Sequence, residues 1–199
     1  MKIIGFVASP RKEGNTGWVI NKILESAQEH GAETQVCYFS DLDIKPCCSC
    51  YGCKQGNRGC VISDDMRKLY GAIEQADAIV LGSPVYMGQM SAEAKIFTDR
   101  LFAQISPRFS PHFKEEYANK KLILAFTQGN PDSGLFKEYF DYTKNMFRLL
   151  EFDVKEVVVV AGTRNGPACE REDLRLVMKD IGLSLVRNDF KNKESSNGV

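Results

Sequence analysis

Five short apolar runs alternate along the chain with segments of helical spacing. The runs are Ile3 to Ala8, Thr34 to Phe39, Ala78 to Gly82, Leu122 to Thr127 and Val154 to Val160. Helical patterns follow them at residues 15–30, 63–75, 91–104, 134–150 and 171–185. This alternation predicts the α/β class, with a parallel sheet covered by helices on both faces. Right-handed crossovers between the strands would make the sheet doubly wound.

Three polar loops follow the first, third and fourth of these strands, at residues 9–16, 83–88 and 127–130. The carboxyl ends of parallel strands meet at one edge of a doubly wound sheet, and ligands bind there near the point where the strand order reverses. We therefore expect the three loops to form one ligand site. A cysteine-rich loop after the second strand should lie at the same edge.

The first loop, SPRKEGNT, connects a strand to a helix. Free backbone N–H groups and the helix dipole favour an anion at such a position. Ser9, Asn15 and Thr16 add polar donors and Arg11 adds a charge, but the loop matches neither the GxGxxG nor the GxxxxGK[ST] pattern. Many neutral donors with few cations suit a phosphate monoester such as that of FMN. The alternative is a well-capped helix start.

The second and third loops offer contacts for a flat ring. In SPVYMGQM, a Ser-Pro turn precedes an apolar, aromatic stretch that predicts a wall on which Tyr86 stacks. Alternatively, Tyr86 and Met87 are core or interface residues. The third loop, TQGN, ends the fourth strand with small polar groups that suit a ring edge. Its predicted contacts are Thr127, Gln128 and Gly129.

Cysteines form the most unusual segment, with the spacing C-x2-C-x2-C-x6-C. The cysteines in this spacing are Cys47, Cys50, Cys53 and Cys60, and Cys48 is an extra thiol that can replace one of the first two. Such a run can fold one loop around an iron–sulfur cubane. Zinc is an alternative, although structural zinc usually uses two separated CxxC hairpins. A third possibility is that the cysteines are unligated or form a disulfide.

Length and charge exclude several classes of protein. At 199 residues the chain suits one domain, which we place at residues 1–186, with the cysteine loop at 46–60 and a polar tail at 187–199. Lys plus Arg and Asp plus Glu both number 26, so no nucleic-acid or membrane partner is expected. Without a signal peptide or membrane span, the expected location is the cytoplasm, where thiols stay reduced and serve as ligands.

Two neighbouring carboxylates follow the cysteine loop. Asp64 and Asp65 come directly after Ser63, a residue type that often caps helices. Their position predicts that they stabilise the start of a helix through its dipole, and a paired-carboxylate catalytic site is the less favoured interpretation.

Three quoted segments resemble the flavodoxin-like NAD(P)H-dependent FMN reductases, and the iron–sulfur flavoprotein branch most closely. The segments are SPRKEGNT, SPVYMGQMSAEAKIFTDR and PCCSCYGCKQGNRGCVISDDM. The resemblance covers residues 1–104 and implies a three-layer sandwich with a five-stranded parallel sheet of order 2-1-3-4-5. The third loop reads TQGNP, where that branch carries a glycine-rich loop. This departure indicates a sibling branch, in which the cysteine motif can persist without a cluster.

The resemblance also implies a role for each loop. The first loop would bind the FMN phosphate, the second would face the isoalloxazine, and the cysteines would ligate a 4Fe–4S cluster. The residues implied are Ser9, Arg11, Asn15 and Thr16 for the phosphate, Pro84, Val85, Tyr86, Met87 and Gly88 for the ring, and Cys47, Cys50, Cys53 and Cys60 for the metal.

Three functions are compatible with these features. The first is an FMN-dependent oxidoreductase that takes electrons from NAD(P)H or a ferredoxin-type donor and relays them through the cluster. The second is a cluster-free NAD(P)H-dependent flavin or quinone reductase. The third is an electron carrier, against which the balanced charge argues. Hydride transfer to FMN requires no general acid or base, so no catalytic side chain is predicted.

The resemblance further implies a homodimer or homotetramer. An aromatic stretch that includes Phe109, Phe113 and Tyr117 is the predicted subunit contact, and the alternative is that it covers the flavin.

Overall fold

The computed structural model describes residues 1–55, 59–105, 115, 117–187 and 189. The strands are β1 (Lys2–Val7), β2 (Glu33–Tyr38), β3 (Ala78–Tyr86), β4 (Gln89–Met90), β5 (Lys121–Thr127) and β6 (Asp153–Val160). The α-helices are α1 (Asn15–Glu29), α2 (Met66–Gln75), α3 (Ala92–Arg100), α4 (Lys137–Leu149) and α5 (Glu172–Arg187).

The five long strands form one parallel sheet of order β2-β1-β3-β5-β6. This confirms the predicted α/β fold, and the order is the predicted 2-1-3-4-5 once the two-residue β4 is set aside. β1 lies between β2 and β3, so the strand order reverses there, and the predicted ligand edge lies at the carboxyl ends of these strands.

Apolar side chains cover both faces of the sheet, because successive strand residues point to opposite sides. Ile4 and Phe6 belong to one buried cluster, which also includes residues of α2, α3 and α4. Ile3 and Val7 belong to a second cluster, with residues of α1 and α5. The result is the predicted three-layer sandwich.

The third strand is longer than its apolar run predicts. Ser83 and Pro84 continue the pairing with β5, so the Ser-Pro pair is part of the strand rather than a turn. Val85 and Tyr86 then pair with β4 in a short antiparallel hairpin. The turn itself is Met87–Gly88, in which both residues have positive φ (49° and 81°), as a two-residue type I′ turn requires.

Helix boundaries agree with the predictions to within four residues. The largest differences are that α2 begins at Met66 and not at Ser63, that α4 begins at Lys137 and not at Gly134, and that α3 ends at Arg100 and not at Gln104. No helix in the described ranges is long and apolar enough to cross a membrane. Of the predicted subunit contact, Phe109 and Phe113 lie outside the described residues, and Tyr117 is buried in a core cluster. Residues 188 and 190–199 of the predicted tail also lie outside the described residues.

Candidate functional site

A cavity of about 510 Å³ lies at the carboxyl edge of the sheet, between the loops that follow β1, β3, β5 and β6. Its volume is typical of a small-molecule site. Nine of the twelve predicted cofactor contacts line it. They are Ser9, Arg11, Asn15, Thr16, Pro84, Val85, Tyr86, Thr127 and Gly129.

The first loop is held from both sides of the cavity. Thr16 Oγ1 and Thr127 Oγ1 lie 2.8 Å apart in a buried hydrogen bond, which joins the start of α1 to the end of β5. Asn15 Oδ1 accepts the N–H of Ala168 at 2.7 Å. Gly14 occupies the N-cap position of α1, and no side chain among the described residues caps it. The helix therefore begins with backbone N–H groups available at the cavity, unlike the well-capped start that was the alternative.

The second loop meets the cavity through its strand residues. Pro84, Val85 and Tyr86 line the wall, and Tyr86 keeps 44% of its surface exposed. Met87 and Gly88 form the hairpin turn at the rim and do not belong to the cavity lining. The structure thus places the wall where the sequence predicted it, but puts these two residues outside it.

The third loop is shaped by Gln128, which is 2% exposed. Its Nε2 donates to the carbonyls of Asp132 (2.6 Å) and Asn130 (3.2 Å), so the side chain braces its own loop. Gln128 does not line the cavity, whereas its neighbours Thr127 and Gly129 do. The Nε2 of this side chain therefore has a structural role, and its predicted ring contact stays a prediction.

Sequence reasoning missed the loop after β6. The residues of this loop that line the cavity are Thr163, Arg164, Gly166 and Pro167. A Cβ placed on Gly129 would lie 2.7 Å from Arg164 Cγ, so the arginine stem passes over a position that only glycine leaves open. The polar, glycine-rich sequence GTRNGP that follows the last strand was the available signal, because strand ends at this edge form the site.

A buried serine couples the first two loops. Ser91 Oγ donates to the carbonyl of Ala8 at 2.8 Å, and the N–H of Ser91 donates to Ser83 Oγ at 2.9 Å. Ser91 Oγ also accepts the N–H of Ala94 at 3.2 Å and so caps α3. Ser91 therefore links the residue after β1 to Ser83 of β3, through its hydroxyl on one side and its backbone N–H on the other.

The cysteines line a separate cavity of about 420 Å³. All five thiols of the segment contribute to it, and Tyr51, Ile62 and Phe102 add apolar wall. Ser49 and Tyr51 adopt positive φ (52° and 55°), which lets the short loop turn sharply between the cysteines. The cysteine positions and the apolar surroundings fit a sulfur-ligated group.

The possible ligand side chains around this cavity are not arranged for a single metal ion. Across the described ranges, no three His, Cys, Asp or Glu side chains lie close enough together to hold one metal ion. Thiolates around a cubane stand farther apart than thiolates around one ion, because the cluster occupies the space between them. The described cysteines, as placed, therefore do not form a single-ion site of the kind that zinc needs.

Two thiols in this loop have shifted pKa values. The N–H of Gly52 and a hydrogen bond with Cys48 lower the pKa of Cys50, which favours the thiolate that binds metal. Burial, by contrast, raises the pKa of Cys53.

Asp64, which was predicted to stabilise a helix start, accepts the N–H of Met66 at the start of α2. Its carboxylate also forms a buried ion pair with Arg100.

A family model described as NADPH-dependent FMN reductase matches residues 1–135. An iron–sulfur flavoprotein of Methanocaldococcus jannaschii is 41% identical over 100 residues, which cover 50% of this chain and 51% of that protein. The match to an iron–sulfur flavoprotein of Methanosarcina thermophila is also 41% over 100 residues, 50% of this chain and 52% of that protein. The chain thus spans about half the length of these relatives.

Other similarities extend over most of the chain. A Bacillus subtilis protein named as an NAD(P)H-dependent FMN-containing oxidoreductase is 26% identical over 83% of this chain and 88% of its own. The solved NAD(P)H:quinone oxidoreductase from Methanothermobacter marburgensis superimposes with a TM-score of 0.70 at 18% identity, over 93% of this chain and 98% of that one. An FMN-dependent NADH-azoreductase from Bacillus anthracis superimposes with a TM-score of 0.68 at 14% sequence identity, over 94% of this chain and 100% of that one. These structural matches support the fold.

Proposed function

Because the chain belongs to the NADPH-dependent FMN reductase family, we propose that it is an FMN-dependent oxidoreductase that takes electrons from NAD(P)H. The observation that carries this proposal is the convergence of four strand-end loops on one cavity beside the reversal of strand order. That is where doubly wound sheets bind nucleotide-like ligands.

The first loop would hold the FMN phosphate. Ser9, Asn15 and Thr16 bring polar groups to the uncapped start of α1, and Arg11 supplies a positive charge at the cavity. Backbone N–H groups and the helix dipole add to these contacts, because both favour a negative ligand.

The isoalloxazine would lie between the second and third loops. Pro84, Val85 and Tyr86 offer the flat wall, and Thr127 and Gly129 offer polar and backbone contacts at its edge. Met87, Gly88 and Gln128 would act indirectly, since they shape the hairpin turn and the third loop. FMN, when bound, supplies the hydride and one-electron chemistry, and the protein orients the reactants and shields them from water.

The cysteine loop would hold a 4Fe–4S cluster through Cys47, Cys50, Cys53 and Cys60. The compact spacing, the shared cavity and the names of the iron–sulfur relatives support this assignment. Such a cluster supplies one-electron transfer and is compatible with a ferredoxin-type partner. We further propose a cytoplasmic homodimer or homotetramer, in keeping with reduced thiols.

A cluster-free flavin or quinone reductase is the second candidate. The Bacillus subtilis relative, whose match extends over most of both chains, is named for FMN and NAD(P)H. Iron and sulfide content of protein purified without air separates the two candidates.

Cofactor titration tests the main proposal. Apoprotein is titrated with FMN and with riboflavin while flavin fluorescence is followed, and the loaded protein is then mixed with NADH or NADPH. We expect FMN to bind at least about tenfold more tightly, because each charge-assisted hydrogen bond to the phosphate contributes about 1.5–3 kcal/mol. Arg11→Gln should reduce this preference, whereas Lys22→Gln, which removes a charge elsewhere on α1, should not. Equal binding of the two flavins would contradict the assignment of the first loop.

A further inference from the structure

A buried ion pair lies at the base of the cysteine loop. Arg100 Nη1 donates to Asp64 Oδ2 at 2.6 Å and Nη2 donates to Asp64 Oδ1 at 3.0 Å. The two side chains are 1% and 0% exposed. A bidentate, fully desolvated pair is costly to separate, since removing one partner leaves the other charge buried and uncompensated.

This pair binds both ends of the cysteine loop. Lys45, two residues before Cys47, donates its N–H to Asp64 Oδ2 at 2.9 Å, and its carbonyl accepts from Arg100 Nη1 at 2.6 Å. Asp64 itself follows Cys60 by four residues. The entry and exit of the loop are therefore joined through one guanidinium and one carboxylate.

The outer part of the loop is attached to the same segment as Arg100. Lys54 Nζ donates to the carbonyls of Phe102 and Ile105, each at 2.6 Å, and lies 4.2 Å from the centre of the Phe102 ring. Tyr51 meets Phe102 edge to face, with ring centres 6.1 Å apart. α3 and the 3₁₀ turn after it thus support the loop along much of its length.

One donor of Arg100 is left over. Its Nε is buried and has no hydrogen-bond partner among the described residues. Buried N–H donors are nearly always paired, so this one is an exception. Arg100 pairs directly with Asp64, four residues after Cys60, so its charge lies at the end of the cysteine loop, and charge near the sulfurs helps to set the potential of an iron–sulfur cluster.

We propose that Arg100 is a positioning residue for the cysteine site, because its buried pair with Asp64 closes the loop at Lys45. The ion pair holds the thiols in place before any metal is present. The positive charge of Arg100 stabilises added negative charge on the sulfur-ligated group. The second part rests on the proposed cluster, and the first does not.

Hydrogen exchange on metal-free protein tests the closure of the loop. Amide exchange is compared by mass spectrometry in wild type, Arg100→Gln, Asp64→Asn and the control Lys22→Gln, which loses a cation on the opposite face of the sheet. We expect exchange of segment 43–66 to become at least tenfold faster in the first two variants, with β1 unchanged. Unchanged exchange of this segment in a folded variant overturns the closure, whatever the metal content.

Redox titration of the reconstituted protein tests the electrostatic part. Loss of the Arg100 cation should lower the cluster potential and loss of the Asp64 anion should raise it. Each should change the oxidised-to-reduced ratio at fixed potential at least tenfold, which is about 59 mV for a one-electron couple. A merely structural role of the ion pair would not shift the cluster potential in opposite directions in the two variants. Equal potentials in all variants overturn this part, whereas absence of iron in wild type overturns the proposed cluster instead.

A further variant covers the case in which Arg100→Gln does not fold. Phe102→Leu leaves the ion pair and every charge intact and weakens only the outer attachment, because it removes the ring that Tyr51 and Lys54 contact. We expect it to release iron faster than wild type. Its oxidised-to-reduced ratio at fixed potential should stay within twofold of the wild-type ratio. A shift as large as that expected for Arg100→Gln would show that attachment, and not the charge of Arg100, sets the potential.

Discussion

Replacement of Ser91 by alanine should loosen the connection between the first two loops of the flavin cavity. The hydroxyl is fully buried, donates to the carbonyl of Ala8 and accepts the N–H of Ala94. Loss of the helix cap costs about 1 kcal/mol. A buried carbonyl deprived of its donor adds about 1–3 kcal/mol, so we expect the free energy of unfolding to fall by about 2–4 kcal/mol.

Urea unfolding followed by circular dichroism measures this change. With a slope near 2 kcal/mol per molar, the midpoint should move down by about 1–2 M. FMN affinity should fall as well, because Ala8 directly precedes Ser9 in the proposed phosphate loop. The added hydrogen bond from the N–H of Ser91 to Ser83 survives the substitution, which keeps the change confined to the hydroxyl.

Ser63→Ala provides the matched control. Ser63 is the helix cap that the sequence suggested, but it is exposed and α2 begins three residues later. We expect its free energy of unfolding to stay within about 0.5 kcal/mol of wild type. If Ser91→Ala were equally mild, the Ser91 hydroxyl would not connect β1 to α3 in the way described.

Three further substitutions probe the same architecture. Gly17→Ala places a Cβ 1.9 Å from a backbone carbonyl oxygen of the first loop, so FMN should no longer co-purify, whereas Gly71→Ala, in open space on α2, should raise the free energy of unfolding by about 0.5–1 kcal/mol. Thr127→Val removes the buried bond to Thr16 and should cost about 1 kcal/mol in urea unfolding and weaken FMN in fluorescence titration. Burial alone would raise the pKa of Asp64, but its hydrogen bonds hold that pKa below the ordinary value. The stability from the pair is therefore complete above about pH 4 and is lost as the pH falls further, so urea midpoints at pH 5 and pH 3 should differ less in Asp64→Asn than in wild type.

The order of the sheet and most of the lining of the cavity at its carboxyl edge were predictable because they depend on local patterns. Apolar runs fix the strands, and the shared edge of a parallel sheet then gathers the loops that follow them. Nine of twelve predicted contacts reached one cavity for this reason. Gln128 did not, because its amide meets carbonyls of its own loop, a choice that residue type alone does not reveal.

Contacts between distant residues were not predictable. Asp64 looked like an ordinary helix-start carboxylate, yet Arg100, 36 positions away, draws it into a buried pair. Ser91 reaches Ala8 across 83 positions. Neither partnership leaves a periodicity or a motif in the chain, because each depends on how α3 packs against the sheet.

The two ends of the segment 46–63 are held together by hydrogen bonds between the residues that flank it. Lys45 is hydrogen-bonded to Asp64, and Asp43 to Asp65, so the segment between them leaves and rejoins the domain at one place. Its removal or exchange would leave β2, α2 and the rim of the sheet in register. Changes within this segment should therefore leave the cavity at the sheet edge unaltered, because none of its described residues belongs to the lining of that cavity.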